Sequence, residues 1–254
     1  MKHDPVKINI RLKKPSLRAS KKRRPKKTSE FPLQFMDIVW VAVAVGLLIV
    51  NCLRLGSLPN AWDWPSILVA IVAMPAADFV SGMIHWFFDT WGNERTFWIG
   101  SRLIRPFRVH HAKPKDLLGS HFFTTNSDAS VANLPFLLIA LCIPLGSEAG
   151  RLAVVFLTSL AAWGLPTSQI HKWAHAARRP FWVSWMQRIG LILSPSHHDG
   201  HHTEPHTTNY CITTGWCNRP LQWIGFFPKM EWVISRLTGL KPRQDEQHPP
   251  QLRK

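Results

Sequence analysis

The chain has 254 residues, of which 46% are hydrophobic and 13 are Trp, and it carries a formal net charge of +16 at pH 7. Such a charge combined with so many apolar and Trp residues is odd for an ordinary soluble enzyme and fits a basic tail joined to a membrane-embedded body, in which charge and apolar residues occupy different segments. Cys52, Cys142, Cys211 and Cys217 have neither zinc-ribbon nor disulfide-framework spacing, and there is no internal repeat, Gly-rich phosphate loop or nucleophile elbow.

Residues 1–30 centre on Lys21-Lys22-Arg23-Arg24 and Lys26-Lys27, have almost no apolar residue to anchor a fold, and read as a disordered basic tail. The tail precedes an apolar run and lacks any aromatic platform, so its expected partner is anionic lipid headgroups and not nucleic acid. The body is expected over residues 31–242 and a loose second tail over 243–254.

From Phe35 to Leu53 a predominantly apolar run, with Asp37 and Asn51 near its ends, has close to the ~20 residues that cross a bilayer as a helix. Arg54–Pro65, poor in basic charge, is the turn on the far side. The second span, Ile67 to about Phe88, is interrupted by Pro75 and carries Asp78 in its middle. A carboxylate at that depth is either functional or a capping and helix-packing group beside the Pro75 kink. His85 and Asp89, four residues apart, share one helix face where the span meets the interface.

Arg102–Asn126 is too polar to span and is expected as short helices or turns, with His110, His111 and His121 on the side of the tail. Two apolar runs, Ala132–Leu145 and Leu152–Leu165, are each short for a full span and read as either a tight helical hairpin or a re-entrant pair. The second leads into His171 and His175, again one helical turn apart. Beyond Arg178, Trp182, Trp185, Trp216, Trp223 and Trp232 are expected to hold a cap against the headgroup layer. The fold expected is all-α: a polytopic membrane protein with about four transmembrane or re-entrant helices and a cytosolic-side, histidine-rich metal-binding cap.

The densest feature is S-H-H-D-G-H-H-T-E-P-H from Ser196 to His206, which places His197, His198, His201, His202 and His206 in eleven residues. Neutral imidazoles each offer one lone pair and suit Fe, Zn, Cu or Ni better than Mg or Ca. A solvated loop binding metal adventitiously is the plain alternative, but His85, His110, His111, His121, His171 and His175 also lie where they can serve a site, whereas His3 and His248 sit in tails. Zinc is satisfied by four ligands; eleven candidate histidines point to two metals. Two irons can use O2 to strip hydrogen from an unactivated C–H bond, provided water is kept out.

The segments G-M-I-H-W-F-F-D-T-W-G, R-P-F-R-V-H-H, Q-I-H-K-W-A-H, H-H-D-G-H-H-T-E-P-H and Y-C-I-T-T-G-W-C-N-R-P-L resemble those of the Kua family of membrane lipid desaturases, over roughly residues 79–242. Asp199 and Gly200 stand where larger residues are expected. The resemblance implies a di-iron desaturase that uses O2 and two electrons from an external cytochrome b5-like or ferredoxin-like donor. It carries metal-ligand positions onto His85, His110, His111, His121, His171, His175, His197, His198, His201, His202 and His206, and catalytic roles onto His85, Asp89, His171, His175, His198 and His202. Within the family the ether-lipid branch is the nearer, implying conversion of a 1-O-alkyl phospholipid (plasmanylethanolamine) to its vinyl ether. Acyl-chain desaturation near the carboxyl end, and a non-catalytic histidine-rich metal transporter, are the alternatives. The expected location is a bacterial inner membrane or the endoplasmic reticulum, with both termini cytosolic.

Overall fold

The structure is a computed structural model and describes residues 33–243 except 60, 61 and 98. The basic tail and residues 244–254 lie outside the described residues. All regular structure among the described residues is helical.

Helix α1, Phe35–Gly56, starts on a capping box in which the Asp37 carboxylate accepts the Gln34 backbone N–H at 3.0 Å. Helix α2, Trp64–Thr90, is capped by Asp63 and carries Pro65 in its first turn; Pro75 lies inside it without ending it. The two short apolar runs belong to longer helices than their hydropathy indicated. Helix α4, Phe122–Cys142, begins ten residues before the apolar run and passes through Pro135; helix α5, Glu148–Gly164, leads almost directly into α6, Thr167–His175. The reason is that α4 keeps its polar residues inward: Ser127, Ser130 and Asn133 are buried, with Ser130 and Asn133 bonded to carbonyls of the preceding turn. Three helical stretches are long and apolar enough to cross a membrane, Phe35–Gly56, Trp64–Thr90 and Glu148–His175.

These helices form a bundle in which α1 packs on α4, α2 on α5, and α4 on α5. Small residues make the close approach: Ala44 meets Leu137 and Ala161, and Ala73 and Ala77 meet Leu160. Arg54 of α1 reaches across to the open end of α4, donating to the Ala140 carbonyl at 2.8 Å and the Ile143 carbonyl at 2.9 Å. Val43, Ile49, Val50, Ile67, Ile71 and Val72 point outward and are exposed, as lipid-facing side chains of such helices are.

At one end of the bundle sits a cap built from α3 (Arg105–Ala112), α6, α7 (Phe181–Arg188), α8 (Pro195–Asp199), α9 (Asn218–Trp223) and α10 (Phe226–Thr238). The polar segment after α2 is indeed short pieces, a π-helical turn over Gly100–Ile104, α3 and a 3-10 turn over Asp116–Gly119, although its last residues already belong to α4. Trp182, Trp185, Trp216, Trp223 and Trp232 are all more than half exposed on this cap. Asp78 is the rivet that fixes the cap to the bundle. Its Oδ1 accepts the backbone N–H groups of Thr213, Thr214 and Gly215 at 3.1, 2.7 and 2.9 Å, and its Oδ2 accepts that of Cys217 at 3.0 Å. Gly215 has φ of +81°, the left-handed conformation that lets successive N–H groups converge on one carboxylate. The deep carboxylate therefore serves packing, which was one of its two sequence readings.

Candidate metal centre

Four elements converge under the cap. Helix α2 delivers His85 and Asp89, α3 delivers His110 and His111, α6 delivers His171 and His175, and the stretch from α8 onward delivers His198, His201 and His202. They sort into two groups, His110, His171, His175, His198 and His202 in one, and His85, Asp89, His111 and His201 in the other, each with ligand atoms within 4.8 Å of one another. The sorting follows from helical geometry. Residues four apart stay on one face, so His171 with His175, and His198 with His202, enter the first group while His85 and Asp89 enter the second. Consecutive residues diverge, so His110 and His111 separate, as do His201 and His202. The groups are adjacent, with the His111 and His202 rings 5.5 Å apart and the His85 and His171 rings 6.0 Å apart.

In the first group the His175 Nε2 lies 3.0 Å from that of His110, 3.3 Å from that of His171 and 2.9 Å from that of His198, and the His202 Nε2 lies 3.1 Å from those of both His110 and His198. A single proton on the His175 Nε2 can bridge only one of its three neighbours, so hydrogen bonding does not account for the crowding. A cation among them would: metal–nitrogen bonds of about 2.0–2.1 Å put neighbouring ligand nitrogens ~2.9–3.4 Å apart. In the second group an Asp89 carboxylate oxygen lies 3.2, 3.4 and 3.5 Å from the Nε2 atoms of His85, His111 and His201, and those of His111 and His201 are 3.0 Å apart. Both Asp89 oxygens are buried without a hydrogen-bond partner, as is the His85 Nε2. Buried polar atoms left in that state are costly unless an ion satisfies them.

Backbone carbonyls set the tautomers. The His85 Nδ1–H donates to the Tyr210 carbonyl at 3.0 Å and the His201 Nδ1–H to the Thr208 carbonyl at 2.7 Å, which leaves each Nε2 lone pair facing the centre. Burial holds the cap histidines neutral. Desolvation first, and the neighbouring His206 and His175 second, push His111 and His202 respectively down to about 3. Burial followed by surrounding imidazoles also holds His110, His198 and His201 well below the usual histidine range. Neutral imidazole is the form that ligates.

Three sequence-predicted ligands fall outside both groups. His121 is exposed and caps α4, accepting the Phe123 N–H at 3.4 Å. His197 points the other way, its Nε2 3.1 Å from the Asn218 amide, which clamps both the N–H and the carbonyl of Cys211. His206 has φ of +59°, sets its Nδ1 3.1 Å from the His201 carbonyl and stacks on His111 at 4.8 Å, beside the second group without entering it. Sequence reading gave Thr208, Tyr210 and Asn218 no role; the one available signal was that Tyr210, the only tyrosine, opens the Y-C-I-T-T-G-W-C-N segment.

Two cavities lead to the groups. One of about 430 Å³ reaches His110 and His171 between α1, α3, α4 and α6; the other, about 630 Å³, reaches Asp89 and Tyr210 past Glu204, Glu231 and Arg243. Phe107 closes over the centre, its ring 5.3 Å from His85 and 5.4 Å from Phe88.

Apolar helices ending in paired, buried cages of imidazole and carboxylate define a histidine-cage protein of membrane-spanning composition. Residues 74–245 match the lipid desaturase domain, and the chain belongs to that family. It is similar to plasmanylethanolamine desaturase of Myxococcus xanthus, 40% identical over 214 residues that cover 84% of this chain and 76% of that protein. It is also similar to plasmanylethanolamine desaturase 1 of Mus musculus, 38% identical over 220 residues (84% and 81% of the two chains), and to the chloroplastic fatty acid desaturase 4 of Arabidopsis thaliana, 28% identical over 209 residues (81% and 63%). No solved structure matches it.

Proposed function

We propose that this chain is an O2-dependent di-iron lipid desaturase that converts a 1-O-alkyl ether phospholipid, plasmanylethanolamine, to its 1-O-alk-1′-enyl form. The observation that carries the proposal is the pair of adjacent cages, one of five imidazoles and one of three imidazoles and a carboxylate, a donor set that suits iron. His110, His171, His175, His198 and His202 would hold one iron, and His85, Asp89, His111 and His201 the other. Irons so held would supply the activation of O2; in the overall balance two hydrogens leave the lipid and, with two electrons and two protons from outside, O2 is reduced to two waters. The electrons come from a cytochrome b5-like or ferredoxin-like donor.

The protein's own residues bind, orient and exclude water. Carbonyls of Thr208 and Tyr210 keep two ring nitrogens unprotonated toward the centre, and the Phe107 and Phe88 rings shield it. The cages lie at the end of the bundle, so a lipid entering from the bilayer presents the first carbons of its chain. In an ether the first of these is a methylene activated by the adjacent oxygen; an ester has no such methylene. The desaturase unit takes residues 31–242, with the tails outside it and the cage side facing the cytosol of a bacterial cell or the cytosolic face of the endoplasmic reticulum.

Similarity to a plant fatty acid desaturase favours a second reading, desaturation near the carboxyl end of an acyl chain. The two separate in cells that hold 1-O-alkyl phospholipids but make no vinyl ether. Expression of this chain followed by mild acid should release long-chain aldehydes. A new double bond in an ester-linked chain, with no aldehyde, would replace the ether reading.

A further inference from the structure

The cavity that reaches His110 and His171 is charged in an unusual way for a path to a buried centre. Its wall carries two cations, Arg102 and Lys113, and three carboxylates, Asp37, Asp116 and Asp128. Asp37 is fixed in place, its Oδ2 receiving the Gln34 N–H at 3.0 Å and the Thr124 hydroxyl at 3.1 Å. Arg102 and Asp128 pair only loosely, 3.9 Å apart, with side chains 45% and 42% exposed. Such a pair contributes little by itself, so a ligand of matching charges can replace it at small cost. The cavity's place in the fold is also specific. The first turns of α1 and α4 form one wall, α3 and the π-helical turn form another, and the first cage forms the floor. At about 430 Å³ it falls within the range of small-ligand sites.

We propose that this cavity is the headgroup site of the lipid, in which Arg102 binds the phosphodiester and Asp128, beside Asp37, binds a headgroup ammonium. This rests on the lipid desaturase reading above. A guanidinium suits a phosphate oxygen pair, and a primary ammonium can donate hydrogen bonds to carboxylates, which a quaternary ammonium cannot. The short glycerol backbone between phosphate and ether oxygen then sets the first chain carbons against His110 and His171. Arg102 and Asp128 thus determine which headgroup enters and, through it, which carbons reach the centre.

The test uses the full-length protein in detergent with an equimolar mixture of 1-O-alkyl lipids bearing ethanolamine, choline and glycerol headgroups. Retained lipid is read by native mass spectrometry and vinyl ether formation is read separately. The wild type should retain ethanolamine lipid about tenfold over choline lipid, roughly the worth of one charge-assisted hydrogen bond. Asp128→Asn should erase that preference while retaining lipid, and Arg102→Gln should lower retention of all three, with the metal content of both variants unchanged. Equal retention of ethanolamine and choline lipids by the wild type, or an undiminished preference in Asp128→Asn, would overturn the assignment. Selective retention with no vinyl ether from any lipid would instead overturn the proposed reaction and leave the headgroup site standing.

Discussion

Replacing Asp78 by alanine tests how the cap is held. The carboxylate is fully buried and takes four backbone N–H groups, from Thr213, Thr214, Gly215 and Cys217. Each buried donor left without a partner costs about 1–3 kcal/mol, so Asp78→Ala should lose about 4 kcal/mol or more. At about 2–4 °C per kcal/mol for a chain of this size, Tm should fall by about 8 °C at the least. The loss should reach the second cage, because the same stretch carries the Thr208 and Tyr210 carbonyls that orient His201 and His85. Asp78→Asn separates charge from shape. Its oxygen can still receive three of the N–H groups, but its amide turns a donor toward the Cys217 N–H, for a smaller loss of about 1–2 kcal/mol. Thermal unfolding in detergent, with metal content measured on the same samples, reads both effects. An alanine variant that melts within about 2 °C of the wild type, or an asparagine variant that loses as much as the alanine one, would refute the reasoning.

His198→Ala and His202→Ala each remove a donor from the first cage and should abolish activity with loss of metal, whereas His121→Ala removes only an exposed helix cap and should leave metal content unchanged; elemental analysis by mass spectrometry decides. The metal-free protein should lose stability on acidification. His111 and His202 have folded-state values pushed down to about 3, so between about pH 6.5 and pH 3 the unfolded chain binds more protons, and stability falls as pH falls through that window; a metal-free melting temperature that is flat from pH 7 to pH 4 would contradict this. Single-cysteine variants Ser20→Cys, Lys115→Cys and Asp245→Cys should all be labelled from the cytosolic side, and labelling of any one from the opposite face would sink the shared orientation.

How much of the fold and the cages is legible in the sequence depends on range. The i, i+4 spacings of His85 with Asp89 and of His171 with His175 put each pair on one helix face from sequence alone, because that relation is local. The division of His110 from His111 and of His201 from His202 between two cages depends on where α3 and the loop after α8 cross α2 and α6, which no local pattern encodes. His197 shows the limit most plainly. By spacing it is as good a ligand as His198, yet α8 turns it away toward Asn218. The apolar run from Ala132 understated α4, because Ser127, Ser130 and Asn133 are polar by composition and buried in fact, with Ser130 and Asn133 bonded within the helix. The two readings of Asp78 stand level in the sequence because its partners are backbone N–H groups some 135 residues further along, and backbone carries no sequence signal.

The span between Asp78 and Cys217 also fixes an order of events in the life of the chain. Synthesis proceeds from the N-terminus, so the bundle helices α1, α2, α4 and α5 are complete before His198, His201 and His202 leave the ribosome. Neither cage has its full donor set at that moment, and the second lacks the Thr208 and Tyr210 carbonyls as well. Neither cage can therefore be complete until the segment after α7 has folded back and its loop has closed on Asp78. A chain cut short before His198 would keep all four bundle helices yet lack three of the eight cage imidazoles.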